Sequence, residues 1–293
     1  MAGTHSSGGR AVTVIDSANR VSFLSTTWSL GASIQLTTCA SNCTSLSSWQ
    51  SGHIRTGGGR AGMTAVGTGL ALAINSQHGD LIVRTCANNC SAEASWQEST
   101  GMFIHDGTFD VALGSTPTGG LRLAYNQGLS DTGQPANIKA QDNRLLAWSC
   151  ETNCLVPASW QGVMLGASRD GSNGITLTMA GAATVVATAN TTTATCHVCG
   201  TGCTTAAGWS SRDIDSLASM SAELDPYAYA TGCTANGSPV RAYSAGWLPF
   251  GGSAAIGPDG TSYYLHAPYG LRTCPGETGE SYLPRLGRLV IVP

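Results

Sequence analysis

Cys39-Ala40-Ser41-Asn42-Cys43-Thr44-Ser45-Leu46-Ser47-Ser48-Trp49 is the stretch that decides the fold of this 293-residue chain. Its skeleton of Cys, three residues, Cys, five residues, Trp returns at Cys86, Cys90 and Trp96, at Cys150, Cys154 and Trp160, and at Cys199, Cys203 and Trp209. A fixed spacing that recurs at intervals of several tens of residues marks one supersecondary unit copied in tandem, so the chain is read as an array.

The segments before each copy also match. In the first unit, alternating apolar and polar residues run through Arg10 to Asp16, Val21 to Leu24 and Ser33 to Cys39, and Trp49 opens a fourth stretch. The second repeats this as Arg60 to Val66, Leu70 to Ile74, Asp80 to Cys86 and Trp96 to Phe103, and even the entry Gly-Gly-Arg-Ala at 8 to 11 returns at 58 to 61. The third unit carries its excess length in the polar segment 126 to 143, and the fourth runs from Gly174 to Ile214. Beyond it the motif decays while the rhythm continues. Ser253 to Gly257, Ser262 to His266, Gly270 to Cys274 and Arg288 to Val292 read as the strands of a last unit.

Four short alternating strands per unit, with Gly-rich turns, describe the blade of an all-β β-propeller. The expectation is one domain over 1–293 with six four-stranded blades, five and seven being the neighbouring counts. The blades fall near 8–56, 57–104, 105–166, 167–216, 217–251 and 252–293. A repeat of this size cannot bury an apolar face without its neighbours, which argues against independent domains.

The repeat resembles the tandem units ending in Cys-x3-Cys and Trp of secreted propeller-like proteins from myxobacteria and similar bacteria, closely over residues 8 to 215 and loosely beyond. The resemblance implies the propeller fold and export. It carries over no catalytic residue.

Charged residues make up 11% of the chain, against about 25% in an ordinary domain. The net charge of −3 and the single lysine, Lys139, leave no basic stripe of the kind that tracks a phosphate backbone, so nucleic acid is not the expected partner. No apolar run is long enough to span a membrane as a helix, and Met1 to Arg10 has no signal-peptide core. Eight of the eleven cysteines sit in the paired motifs, which favours an oxidising compartment and hence a secreted or cell-surface protein whose leader is absent from this sequence.

The pairs Cys39–Cys43, Cys86–Cys90, Cys150–Cys154 and Cys199–Cys203 are read as disulfides that each hold a hairpin tip, with the Trp covering the blade edge. Zinc would need two such pairs to converge, which loops spread around a rim do not do, so neither metal nor cofactor is expected. Cys196, Cys233 and Cys274 are left over, and Cys196 with His197 beside Cys199 and Cys203 is the one cluster with an alternative metal reading.

In a propeller the Cys loops share one face, and the opposite face carries the more varied loops. Candidate ligand-binding residues there are Trp28, His78, Asn126, Asn190, His266 and Tyr269, joined between blades by His53, Arg55, His105, Asp106, Arg169 and Asp170. Aromatic rings beside Asn and His suit sugars, the ring packing on the apolar face of a pyranose. The first functional reading is a lectin-like propeller that binds a glycan. The alternative is an interaction subunit that binds an extracellular protein or copies of itself. A hydrolase would need two carboxylates from different blades, such as Asp106 and Asp170, and the chain contains no nucleophile elbow, zinc-protease helix or phosphate loop.

Overall fold

A computed structural model describes residues 11–26, 33–56, 58–76, 80–99, 103–104, 108–127, 144–167, 175–189 and 193–216, and beyond these the strands named below. The first four repeats form four antiparallel sheets, each with its strands paired in chain order. The first sheet holds β1 (Ala11–Ile15), β2 (Val21–Thr26), β3 (Ser33–Cys39) and β4 (Gln50–Thr56). The second holds β5 (Gly58–Val66), β6 (Gly69–Ser76), β7 (Asp80–Cys86) and a fourth position shared by β8 (Gln97–Glu98) and β9 (Phe103–Ile104), both paired with β7.

The third sheet is β10 (Thr108–Ser115), β11 (Leu121–Gln127), β12 (Arg144–Cys150) and β13 (Gln161–Ala167). The fourth is β14 (Thr176–Ala180), β15 (Ala183–Ala189), β16 (Thr193–Cys199) and β17 (Trp209–Ser216). Four of these third strands, β3, β7, β12 and β16, end on the first Cys of the motif, as the repeat predicts. In three sheets the pairing of third and fourth strand shifts register five residues before that Cys, at Ile34/Gln35, Leu145/Leu146 and Ala194/Thr195. A bulge copied with the repeat gives each outer strand the same extra twist.

Past the fourth sheet lie β18 (Thr234–Ala235) with β19 (Ser238–Pro239), then β20 (Tyr243–Gly246), β21 (Gly252–Ile256), β22 (Ser262–His266), β23 (Tyr269–Arg272), β24 (Ser281–Tyr282) and β25 (Arg288–Val292). Here the pairing departs from the expected serial order. β20 pairs with β23 and β23 with β24, while β21 pairs with β22 and β22 with β25. The two sheets therefore interleave along the chain, and the β20–β23 pairing crosses the boundary expected between residues 251 and 252. Without the Cys-Trp ruler, strand spacing alone does not say which strand pairs with which.

The sheets follow one another through their first strands. β5 packs against β1 and β10, β10 against β14, and β14 against β21, as the innermost strands of successive blades do around an axis. The core lies between blades. Leu24, Ile34, Leu36 and Ile54 of the first blade meet Met63, Leu70, Leu72, Ile74 and Trp96 of the second. Ala71, Ala73, Leu81 and Val83 of the second meet Val111, Leu123, Tyr125 and Trp160 of the third, and Ala112, Ala124 and Leu145 of the third meet Ile175, Val186 and Trp209 of the fourth.

Each of these three tryptophans thus joins an apolar cluster shared with the blade before its own. Ring carbon that would stand exposed at an edge is instead removed from water between blades, where each indole buries a large area.

Candidate functional site

All four motif pairs are disulfides, Cys39–Cys43, Cys86–Cys90, Cys150–Cys154 and Cys199–Cys203, with Cα separations of 5.6 to 5.7 Å. The residue before each second Cys is left-handed: Asn42 (φ 54°), Asn89 (54°), Asn153 (56°) and Gly202 (70°). Asn and Gly are the residues that adopt this conformation at least cost, so the tight ring dictates them. The carbonyl of this residue accepts the N–H three positions on, from Ser45, Ala92, Val156 and Thr205. A single 3₁₀ turn then brings the Trp back over the loop, and its indole N–H donates to the carbonyl of the second Cys at 3.0, 2.9, 2.8 and 3.0 Å in the four copies. The whole motif is one rigid elbow: disulfide, left-handed corner, turn and indole. Asn42 and Asn89 also begin sequences of the N-glycosylation type, and the corner accounts for them without glycan.

Among the described residues, recesses open at this end between the first and second blades and along the second. The first, about 340 Å³, lies between the first and second blades, lined by Thr38, Ser48, Gln50 and Ser22 on one side and Asn89 and Ser91 on the other. The second, about 530 Å³, runs along the second blade past Thr85, Asn88, Ser95 and Gln97, over Val66 and Leu70. Counted from the first Cys of each motif, Thr85, Asn88, Ser95 and Gln97 stand where the first blade has Thr38, Ser41, Ser48 and Gln50. The wall of the first recess is close-set, because a Cβ on Gly52 would fall 1.6 Å from the carbonyl oxygen of Ser91.

One charged pair borders the first recess. Asp16 Oδ1 accepts the backbone N–H groups of Ala18 and Arg20 at 2.8 and 3.0 Å, and its Oδ2 accepts Arg20 Nε at 2.6 Å. Burial pushes the Asp16 carboxyl up, but these hydrogen bonds and the Arg20 charge outweigh it and hold its pKa below the ordinary carboxylate value. Arg20 also donates through Nη2 to the Thr68 carbonyl of the next blade.

The third blade differs. Arg122 stands at the position of Ser22 and Ala71, Glu151 at that of Ala40 and Ala87, and Arg122 Nη2 meets Glu151 Oε1 at 2.6 Å. Toward the outer strands, Arg55 of the first blade and Arg84 of the second share Glu98, Arg84 Nε at 3.1 Å. Arg84 also donates to the Ile54 carbonyl at 2.6 Å and lies over the Trp96 ring, 5.9 Å from its centroid.

The cluster around Cys196 resolves into separate parts. Cys199 and Cys203 are bonded to each other, and Cys196 is a buried free thiol whose pKa burial pushes up to about 11. His197 is buried and hydrogen-bonded through Nδ1 to Ser211 Oγ at 2.6 Å; burial lowers its pKa to about 4, with Asp213 opposing. Among the described residues no group of three or more His, Cys, Asp or Glu converges to hold a metal ion. Cys233 and Cys274 lie outside the described residues.

The same holds for much of the face singled out by the sequence. Trp28, His78 and Asn190 lie outside the described residues, as do His105, Asp106, Arg169 and Asp170. For Asn126, His266 and Tyr269 the backbone is described: Asn126 sits near the end of β11 opposite Leu145, His266 ends β22 opposite Gly252 and Arg288, and Tyr269 begins β23 opposite Gly246. His53 is exposed on β4, and Arg55 is engaged by Glu98. Sequence reasoning passed over the polar recesses at the Cys-loop end. The signal was present in the pairs Thr38/Thr85, Ser48/Ser95 and Gln50/Gln97, which repeat at fixed offsets from the motif.

No protein-family model matches the chain, and no curated protein sequence matches it. Solved structures do. The Aleuria aurantia lectin in complex with Fucα1-6GlcNAc superimposes with a TM-score of 0.54 at 10% identity, covering 96% of this chain and 80% of the lectin. The SapL1 lectin in complex with α-methyl fucoside gives 0.53 at 13% identity, over 97% and 82%. The GH93 α-L-arabinofuranosidase of Fusarium graminearum with arabinobiose gives 0.54 at 10% identity, over 97% and 76%. A further Aleuria aurantia lectin structure is described as a six-bladed β-propeller, matching at 0.51 and 10% identity over 94% and 78%. At such identities the likeness establishes the fold: this chain is a β-propeller.

Proposed function

We propose that the chain is a secreted or cell-surface propeller that binds carbohydrate. The observation that carries this reading is the recurrence, on a rigid blade scaffold, of recesses lined by uncharged hydroxyl and amide side chains. Such groups both donate and accept, as sugar hydroxyls require. The fold shared with fucose-binding lectins supports it, and the four disulfides support an oxidising, extracellular setting. The bacterial affiliation implied by the repeat belongs to the same proposal. So do the ligand-binding roles of Trp28, His78, Asn126, Asn190, His266 and Tyr269. The test is an array of immobilised glycans probed with folded protein. Saturable binding to at least one chain, displaced by the free sugar, is expected; retention on none overturns the reading.

A second reading, a subunit of an extracellular assembly, is favoured by apolar side chains in water on the Cys-loop turns: Leu46 is 91% exposed and Val156 50%. Light scattering on the eluted protein separates the two, since a strict monomer at high concentration removes self-association. A glycoside hydrolase is the third reading, on the fold shared with the arabinofuranosidase. It requires two carboxylates about one glycosidic bond, whereas Asp16, Glu98 and Glu151 each face an arginine. Release of reducing sugar from the chains bound on the array would establish it.

A further inference from the structure

We infer that the recess between the first and second blades and its copy on the second blade are two equivalent subsites for an uncharged glycan chain, and that the Arg122–Glu151 pair closes the third copy. The inference rests on the carbohydrate-binding reading and says where, how often and for which sugars.

The two recesses match in chemistry and in exposure. Thr38 and Thr85 are half-buried, Ser48 and Ser95 are half-buried, and Gln50 and Gln97 are exposed. Among the described residues none of these six side chains is engaged in a hydrogen bond, although neighbouring hydroxyls are, Thr37 with Ser51 and Ser45 with Ser47. Each subsite therefore offers two hydroxyls and an amide, with donors and acceptors free for a ligand. Their volumes, about 340 and 530 Å³, fall in the range of small-ligand sites.

Charge decides the sugar class. Asp16 and Arg20 neutralise one another at the rim of the first recess, and no charged side chain lines the second. A sulfated or carboxylated sugar would give up its hydration there without gaining a counter-charge, so a neutral chain is preferred.

The third blade keeps the same donor set, with Ser149, Ser159 and Gln161 at the corresponding offsets. What changes is that Ala40 and Ala87, which line the two open copies, are replaced by Glu151, and Ser22, which lines the first, by Arg122, the two charged side chains pairing at 2.6 Å. In the fourth blade the three offsets hold Val198, Gly208 and Ser210, and the donor set itself is gone. Two open copies on adjacent blades suit a polymer with repeating units, because engaging the second site becomes intramolecular once the first is filled.

The experiment uses the full chain with neutral probes (methyl α-fucoside, arabino- and xylo-oligosaccharides) and sulfated chains of matched length. Equilibrium titration and retention on dense glycan surfaces are measured for wild type, Ser48→Trp, Ser95→Trp, their double variant, and the milder Gln50→Ala with Gln97→Ala. Near-ultraviolet circular dichroism confirms folding of each. Expected are two equivalents of neutral sugar per wild-type chain, one for each Trp variant with at least a tenfold loss of surface retention, and none for the double variant. Arg122→Ser with Glu151→Ala is expected to raise the number to three. Wild-type stoichiometry in the Trp double variant, or preference for sulfated chains, overturns this inference and leaves carbohydrate binding standing. Failure of wild type to bind any probe while binding other glycans on the array overturns the neutral-chain assignment, and binding to nothing removes both.

Discussion

The Cys-loop ends of the second and third blades are built from the same strand register and the same elbow, yet one is open and the other is bridged. Leu70 opposes Cys86 as Leu121 opposes Cys150, the indole N–H closes on the second Cys at 2.9 and 2.8 Å, and Ser and Gln recur at the same offsets. Two residues of this shared frame differ: the third blade has the paired Arg122 and Glu151 where the second has Ala71 and Ala87. The elbow holds the backbone invariant while side chains around it vary, so chemistry can be edited blade by blade without altering the fold.

The comparison breaks most severely at the joints. Trp160 is 5% exposed and packs the third blade on the second; Trp160→Ala is expected to cost about 3–5 kcal/mol in denaturant unfolding. Trp49→Ala, at a half-buried indole making the same hydrogen bond, is expected to cost roughly half as much. Equal losses would show that the hydrogen bond, and not the packing on the preceding blade, is what the tryptophan contributes.

A second prediction concerns the position two residues before the first Cys, which holds Thr37, Arg84, Trp148 and His197 in the four blades. Only the last titrates near neutrality. Because the folded state keeps His197 uncharged with its pKa lowered to about 4, while an unfolded imidazole titrates near 6.5, stability is full above about 6.5 and falls as the pH drops from there toward 4. The loss is expected to reach roughly 3 kcal/mol, read from urea midpoints across that interval. His197→Phe should flatten it. A slope unchanged by this substitution would assign the acid sensitivity elsewhere.

Smaller effects sharpen the contrast between open and bridged copies. Glu151 is 63% exposed, so Glu151→Ala is expected to lower stability by less than about 1 kcal/mol. A loss of several kcal/mol would mean the pair holds the blade together and does not merely cover the recess. The smallest expected effect lies at the left-handed corner. Asn153→Ala should cost about 1 kcal/mol, whereas Asn153→Gly should be close to neutral, as Gly202 already serves in the fourth copy. Thermal melts of the two variants decide this.

Much of the frame was legible because the motif acts as a ruler. Strands such as Ser33–Cys39 and Asp80–Cys86 have the bounds that spacing and alternation predict. Where the ruler stops, so does the reading, and the interleaved pairing of β20 with β23 and β22 with β25 depends on contacts that no periodicity records. Spacing also says nothing about which neighbour a side chain meets, so the sharing of the tryptophans' clusters between successive blades was not legible. The recesses escaped for a related reason: Ser, Thr and Gln beside a turn look like ordinary solvated residues until the next blade supplies the facing wall.

The direction in which the tryptophans point has a consequence for how the ring is made. Trp96, Trp160 and Trp209 each close on a surface contributed by a blade earlier in the chain. As the polypeptide emerges N-terminus first, the second, third and fourth repeats each find an apolar partner already present in the blade before. The described blades can therefore be laid down course by course, in chain order.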